Sequence, residues 1–308
     1  MKSPILFLVF NRPDTTSKVF EVIKKARPPK LYIAADGPRK NRAGEEEKCR
    51  QVRDIVSQVD WDCEVKTLFQ NTNLGCGKGP CTGISWFFEQ EEEGIVLEDD
   101  ILPDIDFFEY CDELLEKYRN TEEVGLITGR NYLYGDRVSE DSYFFSTSYH
   151  IWGWASWKRV WENYQFDINK VDKKALLRSL KSFIGDKSQN YWKWQYFKTK
   201  AQKPLSYTWW DYQLFFSLII NRMLCIVPNI NLIKNIGFGE DATHTTSGAQ
   251  KDIEYDSGKI LPLVHPDKIT RNFKGDQIAI EKTNRYFPDS RLFIMRIKLR
   301  IKKILNRR

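Results

Sequence analysis

Short apolar runs alternate with amphipathic segments along the first 130 residues of the chain. The apolar runs predict strands at residues 4–10, 30–35, 63–69, 95–97 and 124–128. Apolar residues at helical spacing predict helices from residue 11 onward and at residues 43–59, 81–92 and 105–118, with a loop rich in Gly and Asn at residues 71–79. This alternation is typical of an α/β fold in which helices cover both faces of a mostly parallel sheet.

The second half of the chain is less regular and richer in aromatic residues. Residues 144–161 combine aromatic and small side chains, and residues 170–196 predict a basic helical excursion from the core. An acid opens the apolar helix predicted at residues 211–221, and a strand is predicted at residues 226–231. Residues 235–246 form a loop rich in Gly and Thr, which suits mobility or contact with an anion.

Polar side chains follow three of the predicted strands at the point where each strand ends. Asn11-Arg12 follows the first strand, Asp36-Gly37 the second and Glu98-Asp99-Asp100 the fourth. Parallel sheets bind ligands at the carboxyl ends of their strands, so these clusters are expected at one edge. Three adjacent carboxylates repel one another, and their hard oxygen atoms suit Mg²⁺ or Mn²⁺ carrying a phosphate. On spacing alone, a solvated acidic loop explains the triplet equally well.

The composition narrows the class of protein. The 308 residues are 14% aromatic and include 10 Trp, most of them in the second half. Clustered aromatic rings can line a sugar site, although the core is the default place for any single Trp. The six cysteines form no CxxC pair and no zinc-like spacing with His. With no signal-like or membrane-spanning run, free thiols in a reducing cytoplasm are expected.

The net charge of +6 is concentrated at the C-terminus. Residues 291–308 carry eight Lys and Arg and no acid, interleaved with apolar residues. A basic amphipathic helix of this kind can lie on an anionic membrane surface, or it can pack its apolar stripe on the body of the protein. Both interpretations stay open from the sequence. A nucleic-acid partner is not expected, because no RNA- or DNA-binding module is present.

Six segments, read in order, resemble a known family. They are PILFLVFNRP, YIAADGPR, VLEDDILPDIDFFEYC, IWGWASWKRVWENY, WWDYQLFF and NIGFGEDATH, spread over residues 4–246. The series resembles nucleotide-sugar-dependent glycosyltransferases of the GT-A (Rossmann-like) fold, in particular bacterial relatives of the N-acetylglucosaminyltransferase I type. The resemblance implies a sheet flanked by helices, with an aromatic-rich acceptor-side half and a basic C-terminal helix.

The resemblance also implies roles for the donor-side residues. Asp100 would hold Mn²⁺ (or Mg²⁺) bridging the diphosphate, Asp99 would contact the ribose, and Glu98 would contact the donor sugar. Arg12 and Asp36 match positions that meet the nucleotide base and phosphates. From the residues alone, Arg12 could instead be a surface cation paired with an acid, and Asp36-Gly37 could be a plain turn.

Further roles implied by the resemblance fall in the second half. Asp211 would be the catalytic base, Trp210 and Trp154 would lie against the donor sugar, and Thr243 with His244 would close on the diphosphate. Without the resemblance, Asp211 is better explained as the N-cap of its helix. Metal contact by His244 is left open, and His150 is expected beside the acceptor cleft.

The resulting expectation is an inverting, metal-dependent transfer of a sugar from a nucleotide diphosphate, UDP by resemblance, to a hydroxyl of a glycan or lipid-linked acceptor of the cell surface. Such transfer needs a cation to neutralise the leaving group and a base to take the acceptor proton. The alternatives are a nucleotidyltransferase that makes the sugar nucleotide, a catalytically silent sugar- or lipid-binding relative, and a membrane-surface protein.

The expected organisation has three parts. Residues 1–130 form the nucleotide-sugar-binding half of one domain, residues 131–250 its acceptor-binding and catalytic half, and residues 251–308 a C-terminal extension with the basic helix. The expected location is the cytoplasm, with peripheral contact at the inner face of the membrane.

Overall fold

A computed structural model describes residues 1–185, 188–203, 207–237 and 259–283, and residues 285, 288, 290, 292–295, 297 and 298. The first half contains six strands and four helices. They are β1 (Ile5–Val9), α1 (Pro13–Ala26), β2 (Lys30–Ala35), α2 (Glu45–Val56), β3 (Glu64–Phe69), α3 (Gly75–Phe88), β4 (Glu93–Glu98), β5 (Ile101–Pro103), α4 (Asp106–Tyr118) and β6 (Val124–Thr128).

The second half adds shorter elements around the same sheet. They are β7 (Tyr143–Ser146), β8 (Trp154–Trp157), α5 (Lys158–Trp161), α6 (Lys173–Ser179), α7 (Gln189–Lys200), α8 (Asp211–Ile220), β9 (Leu224–Pro228), β10 (Ile233–Asn235) and α9 (Phe273–Lys282). A π-helical turn, Leu180–Ile184, follows α6. Within the described ranges, none of the helices has the length and apolar character needed to cross a bilayer.

Eight strands form one mostly parallel sheet in the order β3-β2-β1-β4-β8-β6-β9-β7. Strands β1, β2, β3 and β4 pair in parallel, and β9 pairs in parallel with β6. Strand β8 runs antiparallel between β4 and β6, and β7 runs antiparallel along β9. The carboxyl ends of β1, β2, β4 and β6 therefore meet at one edge. The predicted α/β class is confirmed, with two antiparallel strands that the sequence pattern did not reveal.

The central strands carry apolar residues on both faces because helices cover both faces. All five residues of β1, β6 and β9 are buried, which is the pattern of a strand covered on both sides. The predicted bounds of the strand at residues 30–35 and of the one at residues 124–128 match β2 and β6. The strand predicted at residues 226–231 begins two residues earlier, at Leu224.

Helix α3 differs most from its prediction. It was predicted to begin near Cys81 after a loop, but it begins at Gly75. The carboxylate of Asp36, which follows β2, accepts hydrogen bonds from the backbone N–H groups of Leu74 (2.8 Å) and Gly75 (3.0 Å). A partner 38 residues away in the sequence thus stabilises the first turn, which a local pattern cannot reveal.

A small two-stranded sheet lies beside the main one. Strand β5 pairs antiparallel with β10, with Leu102 opposite Lys234. The backbone N–H of Ile236 donates to the carbonyl oxygen of Asp100 at 2.8 Å. Neither three-residue strand was predicted, since each is too short to show a period. This pairing brings residues 233–237 against the acid triplet at the end of β4.

Candidate active site

Arg12, Asp99 and Asp100 come together where β1 and β4 end. Arg12 immediately precedes α1, and its Nη1 lies 2.7 Å from Oδ2 of Asp100. The backbone N–H of Phe10 donates to Oδ2 of Asp99 at 3.0 Å. Both members of the Arg12–Asp100 pair keep about a fifth of their side-chain surface exposed, 19% and 18%. The pair is therefore open to solvent and to a ligand. The acid that pairs with Arg12 is thus a member of the triplet.

The acids of the triplet lie close enough together for their charges to raise the pKa values of two of them. Burial, followed by the charges of Asp100 and Asp99, raises the pKa of Glu98 to about 8. Burial and the charge of Asp100 raise the pKa of Asp99 to about 7, although Arg12 and the Phe10 N–H act in the opposite direction. Like charges held together in a partly desolvated site disfavour ionisation in this way. A cation placed at this edge would lower both pKa values.

The carboxylates of the triplet suit a hard divalent cation that is also coordinated by a bound ligand. Within the described ranges, no group of three or more His, Cys, Asp or Glu is arranged to enclose a metal ion. Mg²⁺ and Mn²⁺ are commonly bound by one or two carboxylates, with water and substrate phosphate completing the shell. Asp100, at the partly exposed end of the triplet, is the carboxylate best placed for that role.

Asp36 lies at the same edge, but protein donors surround its carboxylate. Besides the two N–H groups at the start of α3, it accepts from the backbone N–H of Gly37 (2.8 Å) and from Nδ2 of Asn73 (3.0 Å). Burial raises its pKa in spite of these donors. The plain-turn interpretation of Asp36-Gly37 is therefore incomplete, because the side chain caps α3. A contact with the nucleotide base stays a prediction.

Asp211 approaches the triplet from the other half of the chain. It is the first residue of α8, directly after the buried Trp210. Trp154 pairs with Val96 of β4, and its ring lies 5.9 Å from that of Trp210, centroid to centroid. The charge of Asp211 is one of the causes that raise the pKa of Glu98. Two acids that are 113 positions apart in the sequence therefore lie close enough for the charge of one to affect the other.

Aromatic rings pack around Trp210, the residue that precedes Asp211. Trp161 stacks on Tyr164 at 4.1 Å, and the Tyr164 hydroxyl donates to the carbonyl oxygen of Trp210 at 3.2 Å. Trp154 is 1% exposed, and its buried Nε1–H has no hydrogen-bond partner among the described residues. Buried indole N–H groups are usually hydrogen-bonded, so this donor is notable beside a candidate ligand site.

The loop expected to close on the diphosphate begins beside Asp100, with Gly237 packed against its carboxylate. A Cβ atom on Gly237 would lie 2.1 Å from Oδ2 of Asp100, so only glycine allows the backbone this close. The backbone N–H of Gly237 donates to Oδ1 of Asn235 at 2.8 Å, which fixes the turn. Thr243 and His244 lie outside the described residues.

Two further residues at this edge were not singled out from the sequence. Oε1 of Glu45 accepts from Nδ2 of Asn11 at 3.0 Å, and Glu45 also pairs with Arg39. Hydrogen bonds from the Arg39 side chain to the Glu45 carboxylate lower the pKa of Glu45. The Arg39 guanidinium lies 5.6 Å from the centre of the Phe10 ring. No sequence signal marked this pair, since Glu45 is one acid in a run of three.

His150, expected beside the acceptor cleft, is 5% exposed. Its Nε2 is 3.0 Å from Oγ of Ser148, and its ring centre is 4.3 Å from that of Tyr132. Burial, with the nearby charges of Arg285 and Arg130, holds its pKa well below the usual value. His150 is therefore neutral near pH 7 and is not in contact with bulk solvent.

No family model and no curated protein matches the sequence. Solved structures with a similar chain path include an apo UDP-glucose pyrophosphorylase, with 11% identity, a TM-score of 0.38, and coverage of 76% of this chain and 92% of that one. HddC from Yersinia pseudotuberculosis has 9% identity and a TM-score of 0.33, over 53% of this chain and 80% of that one. At TM-scores this low the likenesses carry no weight for the activity, which has to be inferred from the residues of the sheet edge.

Proposed function

We propose that the protein is an inverting, metal-dependent glycosyltransferase. It would move a sugar from a nucleotide diphosphate donor, with UDP as the expected nucleotide, to a hydroxyl of a glycan or glycolipid acceptor. One observation carries the proposal: the acid that begins α8 lies close enough to the acid triplet that ends β4 for the charge of Asp211 to raise the pKa of Glu98. Cation-assisted departure and base-assisted attack need two such sites.

The donor side would use the groups at the ends of β1 and β4. Mn²⁺ or Mg²⁺ held by Asp100 and the donor phosphates would neutralise the charge that develops on the leaving diphosphate. Arg12 places a second positive charge beside Asp100 at the first turn of α1, where backbone N–H groups also favour an anion. Asp99, fixed by the Phe10 N–H, is assigned to the ribose, and Glu98 to the donor sugar.

Asp211 is assigned the role of general base. As the acceptor oxygen forms its bond to the anomeric carbon, the hydroxyl proton moves to the Asp211 carboxylate. The bond from the anomeric carbon to the phosphate oxygen breaks, and its electron pair leaves on the diphosphate. A base that activates a nucleophile on the face opposite the leaving group gives inversion, by analogy with the geometry of inverting glycosidases.

The loop that starts at Gly237 is proposed to complete the donor site. Its first residues contact Asp100, and Thr243 with His244 follow six and seven positions later. A segment anchored at the cation-binding acid is well placed to close over a diphosphate.

A nucleotidyltransferase is the main competing enzyme class, and one feature of the chain speaks against it. That chemistry usually places a glycine-rich phosphate loop after the first strand, followed by a Lys or Arg. Here only Phe10, Asn11 and Arg12 separate β1 from the proline that begins α1. A silent binding relative would have no need for both Asp100 and Asp211.

Contact with an anionic membrane surface is also proposed, through residues 291–308. Among the described residues of this segment, Phe293 (66%), Ile294 (51%) and Ile297 (42%) are exposed. Exposed apolar side chains next to Lys and Arg are the composition of an interfacial helix. The enzyme would then work at the cytoplasmic face, on glycan precursors of the cell envelope.

The products of turnover discriminate between the proposed activity and its competitor. One reaction contains UDP-sugars with an acceptor, and the UDP released is quantified. A second contains a sugar 1-phosphate and UTP, and the pyrophosphate formed is quantified. Each is run in Mn²⁺ and in EDTA. Metal-dependent release of UDP, lost in Asp211→Asn, is expected. Formation of pyrophosphate from a sugar 1-phosphate and a nucleoside triphosphate would overturn the assignment in favour of a nucleotidyltransferase.

A further inference from the structure

One flank of helix α7 lies along the residues that lead into α8. The buried stripe of α7 is formed by Trp192, Gln195, Tyr196 and Thr199. Beside this stripe, Tyr191 and Lys198 share one flank at helical spacing, and both are half-buried. The hydroxyls of Tyr191 and Tyr212 lie 3.0 Å apart, and Tyr212 directly follows Asp211. This flank of α7 therefore lies next to the start of α8, where the proposed base is.

Lys198 is held on this flank by the indole ring of Trp209. Its Nζ lies 4.7 Å from the ring centre of Trp209, a distance that gives cation–π attraction. The indole is itself fixed, because its Nε1–H donates to Oγ1 of Thr199 at 3.1 Å. Trp209 stands two positions before Asp211 in the chain. One ring thus ties the ammonium group of Lys198 to the segment that carries the proposed base.

The backbone that carries Trp209 packs tightly against the start of α3. A Cβ atom on Gly77 would clash with the carbonyl oxygen of Tyr207 and would lie 3.4 Å from that of Trp209. The first turn of α3 is in turn capped by Asp36, which follows β2. The position of Trp209 is therefore fixed relative to the edge of the sheet where the donor is proposed to bind.

The positive charge of Lys198 is not matched by a nearby acid of the described chain. Among the described residues, its contact is with the ring of Trp209, and no carboxylate lies within ion-pair distance. The other two lysines of α7 also contact neutral groups, since Lys193 donates to two side-chain amides and Lys200 to a tyrosine hydroxyl. The ammonium group of Lys198 can therefore pair with an anion from outside the chain.

The segment around Lys198 adds further positive charge. Residues 170–203 carry ten Lys and Arg and two Asp, although the net charge of the whole chain is only +6. A surface of one sign attracts anions of the opposite sign and raises their local concentration. None of the exposed large apolar side chains of the described chain lies in this segment. Binding to a bilayer surface depends on such side chains, so this segment suits an anionic sugar better than a membrane.

We propose that Lys198, positioned by Trp209, binds an oxyanion of the acceptor, a phosphate or a carboxylate, on the α7 side of the hydroxyl that Asp211 deprotonates. This inference rests on the proposed function, because it takes the acceptor to be the molecule that approaches Asp211. A Lys ammonium group offers three N–H donors and forms charge-assisted hydrogen bonds with such oxygens. The expected class of acceptor is therefore a phosphorylated or acidic sugar.

Binding of small sugars tests this contact without turnover. Glucose 6-phosphate, glucuronate and the neutral methyl glucoside are titrated into the full-length protein in EDTA and without nucleotide, and binding is followed by ligand-observed NMR. The variants are Lys198→Gln and Lys198→Arg, and the control is Lys18→Gln, which removes the same charge from an exposed position of α1. A further variant, Arg12→Gln, reports whether the anion binds at the donor edge instead.

The wild type and Lys18→Gln are expected to bind glucose 6-phosphate or glucuronate more tightly than methyl glucoside. Lys198→Gln should bind the preferred anion about tenfold or more weakly, and Lys198→Arg should recover most of the loss. The preferred anion then tells a phosphorylated acceptor from an acidic one. The proposal would be overturned if the wild type preferred neither anion over methyl glucoside, if a folded Lys198→Gln bound the anion as the wild type does, or if Arg12→Gln lost more affinity than Lys198→Gln.

The positioning role of Trp209 is tested by two further variants. Trp209→Leu removes the ring beneath Lys198 and should weaken anion binding by about two- to fivefold. Trp209→Phe keeps an aromatic ring and should bind the anion more tightly than Trp209→Leu. Equal affinity of the two variants for the anion would contradict positioning by the ring.

Two more measurements separate this inference from its neighbours. Donor-induced stabilisation of the wild type in Mn²⁺ tests the proposed function by itself. Its absence is a failure of the proposed function, whereas its presence with no sugar anion bound is a failure of this inference alone. Sedimentation with phosphatidylglycerol vesicles is expected to be the same for the wild type and Lys198→Gln. Weaker sedimentation of Lys198→Gln, with no sugar anion bound by the wild type, would assign Lys198 to a membrane surface and overturn the proposal.

Discussion

The molecule holds its buried acids in two contrasting ways. Asp276 lies in the first turn of α9 and is 2% exposed, with an ion pair to Arg271 and hydrogen bonds from Ser146 and Thr147. In the triplet at the end of β4, Asp100 forms an ion pair with Arg12, and the pKa values of the other two acids are raised. A fully satisfied acid stabilises the fold, whereas a cluster left short of positive charge at a sheet edge is prepared to receive it from a ligand.

The largest effect on turnover is expected at Asp211, the proposed base. Replacing Asp211 with Asn keeps the shape of the side chain and its position at the start of α8, but removes the proton acceptor. Turnover is expected to fall by about 10²–10⁴, with donor affinity and melting temperature close to the wild type. Initial rates and donor binding are measured in parallel, and loss of donor binding would contradict the role assigned to Asp211.

The opposite outcome is expected for the satisfied acid. Asp276→Ala leaves Arg271 buried at 9% side-chain exposure without its partner, which typically costs about 3–5 kcal/mol of unfolding free energy. Urea denaturation measures the loss. The matched control is Asp54→Ala, whose ion pair with Arg50 is exposed, so that a much smaller loss is expected. Equal urea midpoints for Asp276→Ala and Asp54→Ala would contradict a stabilising role for the buried ion pair of Asp276.

Asp36 shares features of Asp276 and of the acid triplet. Like Asp276 it is hydrogen-bonded by protein groups, since it caps α3, and like the triplet it follows a strand at the proposed ligand-binding edge of the sheet. Asp36→Ala leaves the N–H groups of Leu74 and Gly75 without their acceptor, and a cost of about 1–2 kcal/mol is expected. The exposed Asp14, at the start of α1, provides the control as Asp14→Ala. If donor affinity falls far more than stability in Asp36→Ala, the predicted contact with the nucleotide gains support.

The raised pKa values also predict a pH dependence of stability in EDTA. Glu98 and Asp99 have folded-state pKa values of about 8 and 7, above their unfolded values near 4. The folded protein therefore binds more protons, and these two groups make stability fall as the pH rises from about 5 to 8. Glu98→Gln should flatten this part of the melting-temperature profile. A wild-type contribution that rises over the same window would contradict the raised pKa values.

The sequence predicted those parts of the fold that depend on local pattern. Buried strands covered on both faces read as apolar runs, which is why β2 and β6 were placed within their observed bounds. The start of α8 at Asp211 was also predicted, since an acid precedes a long apolar segment. The start of α3 was missed because its cap comes from Asp36, a contact made only in the folded chain.

The candidate site was predictable only in part, for a similar reason. The acid triplet and Asp211 stand in sequence contexts that resemble a known family, so both were singled out. Glu45 and Arg39 have no such context, and their contacts with Asn11 and Phe10 are made only in the folded chain. The β5–β10 pairing that sets Gly237 against Asp100 depends on strands of three residues each, which carry no periodic signal.

Donor binding by the acid triplet is tested most directly by thermal unfolding with a panel of nucleotide sugars, each in Mn²⁺ and in EDTA, for the wild type and Asp100→Asn. A bound donor at a hundredfold excess over its dissociation constant should stabilise the wild type by about 2.7 kcal/mol. The predicted result is a shift for one donor that requires Mn²⁺ and is lost in Asp100→Asn. A donor-induced shift that persists in EDTA, or in Asp100→Asn with Mn²⁺, would contradict a cation site at Asp100.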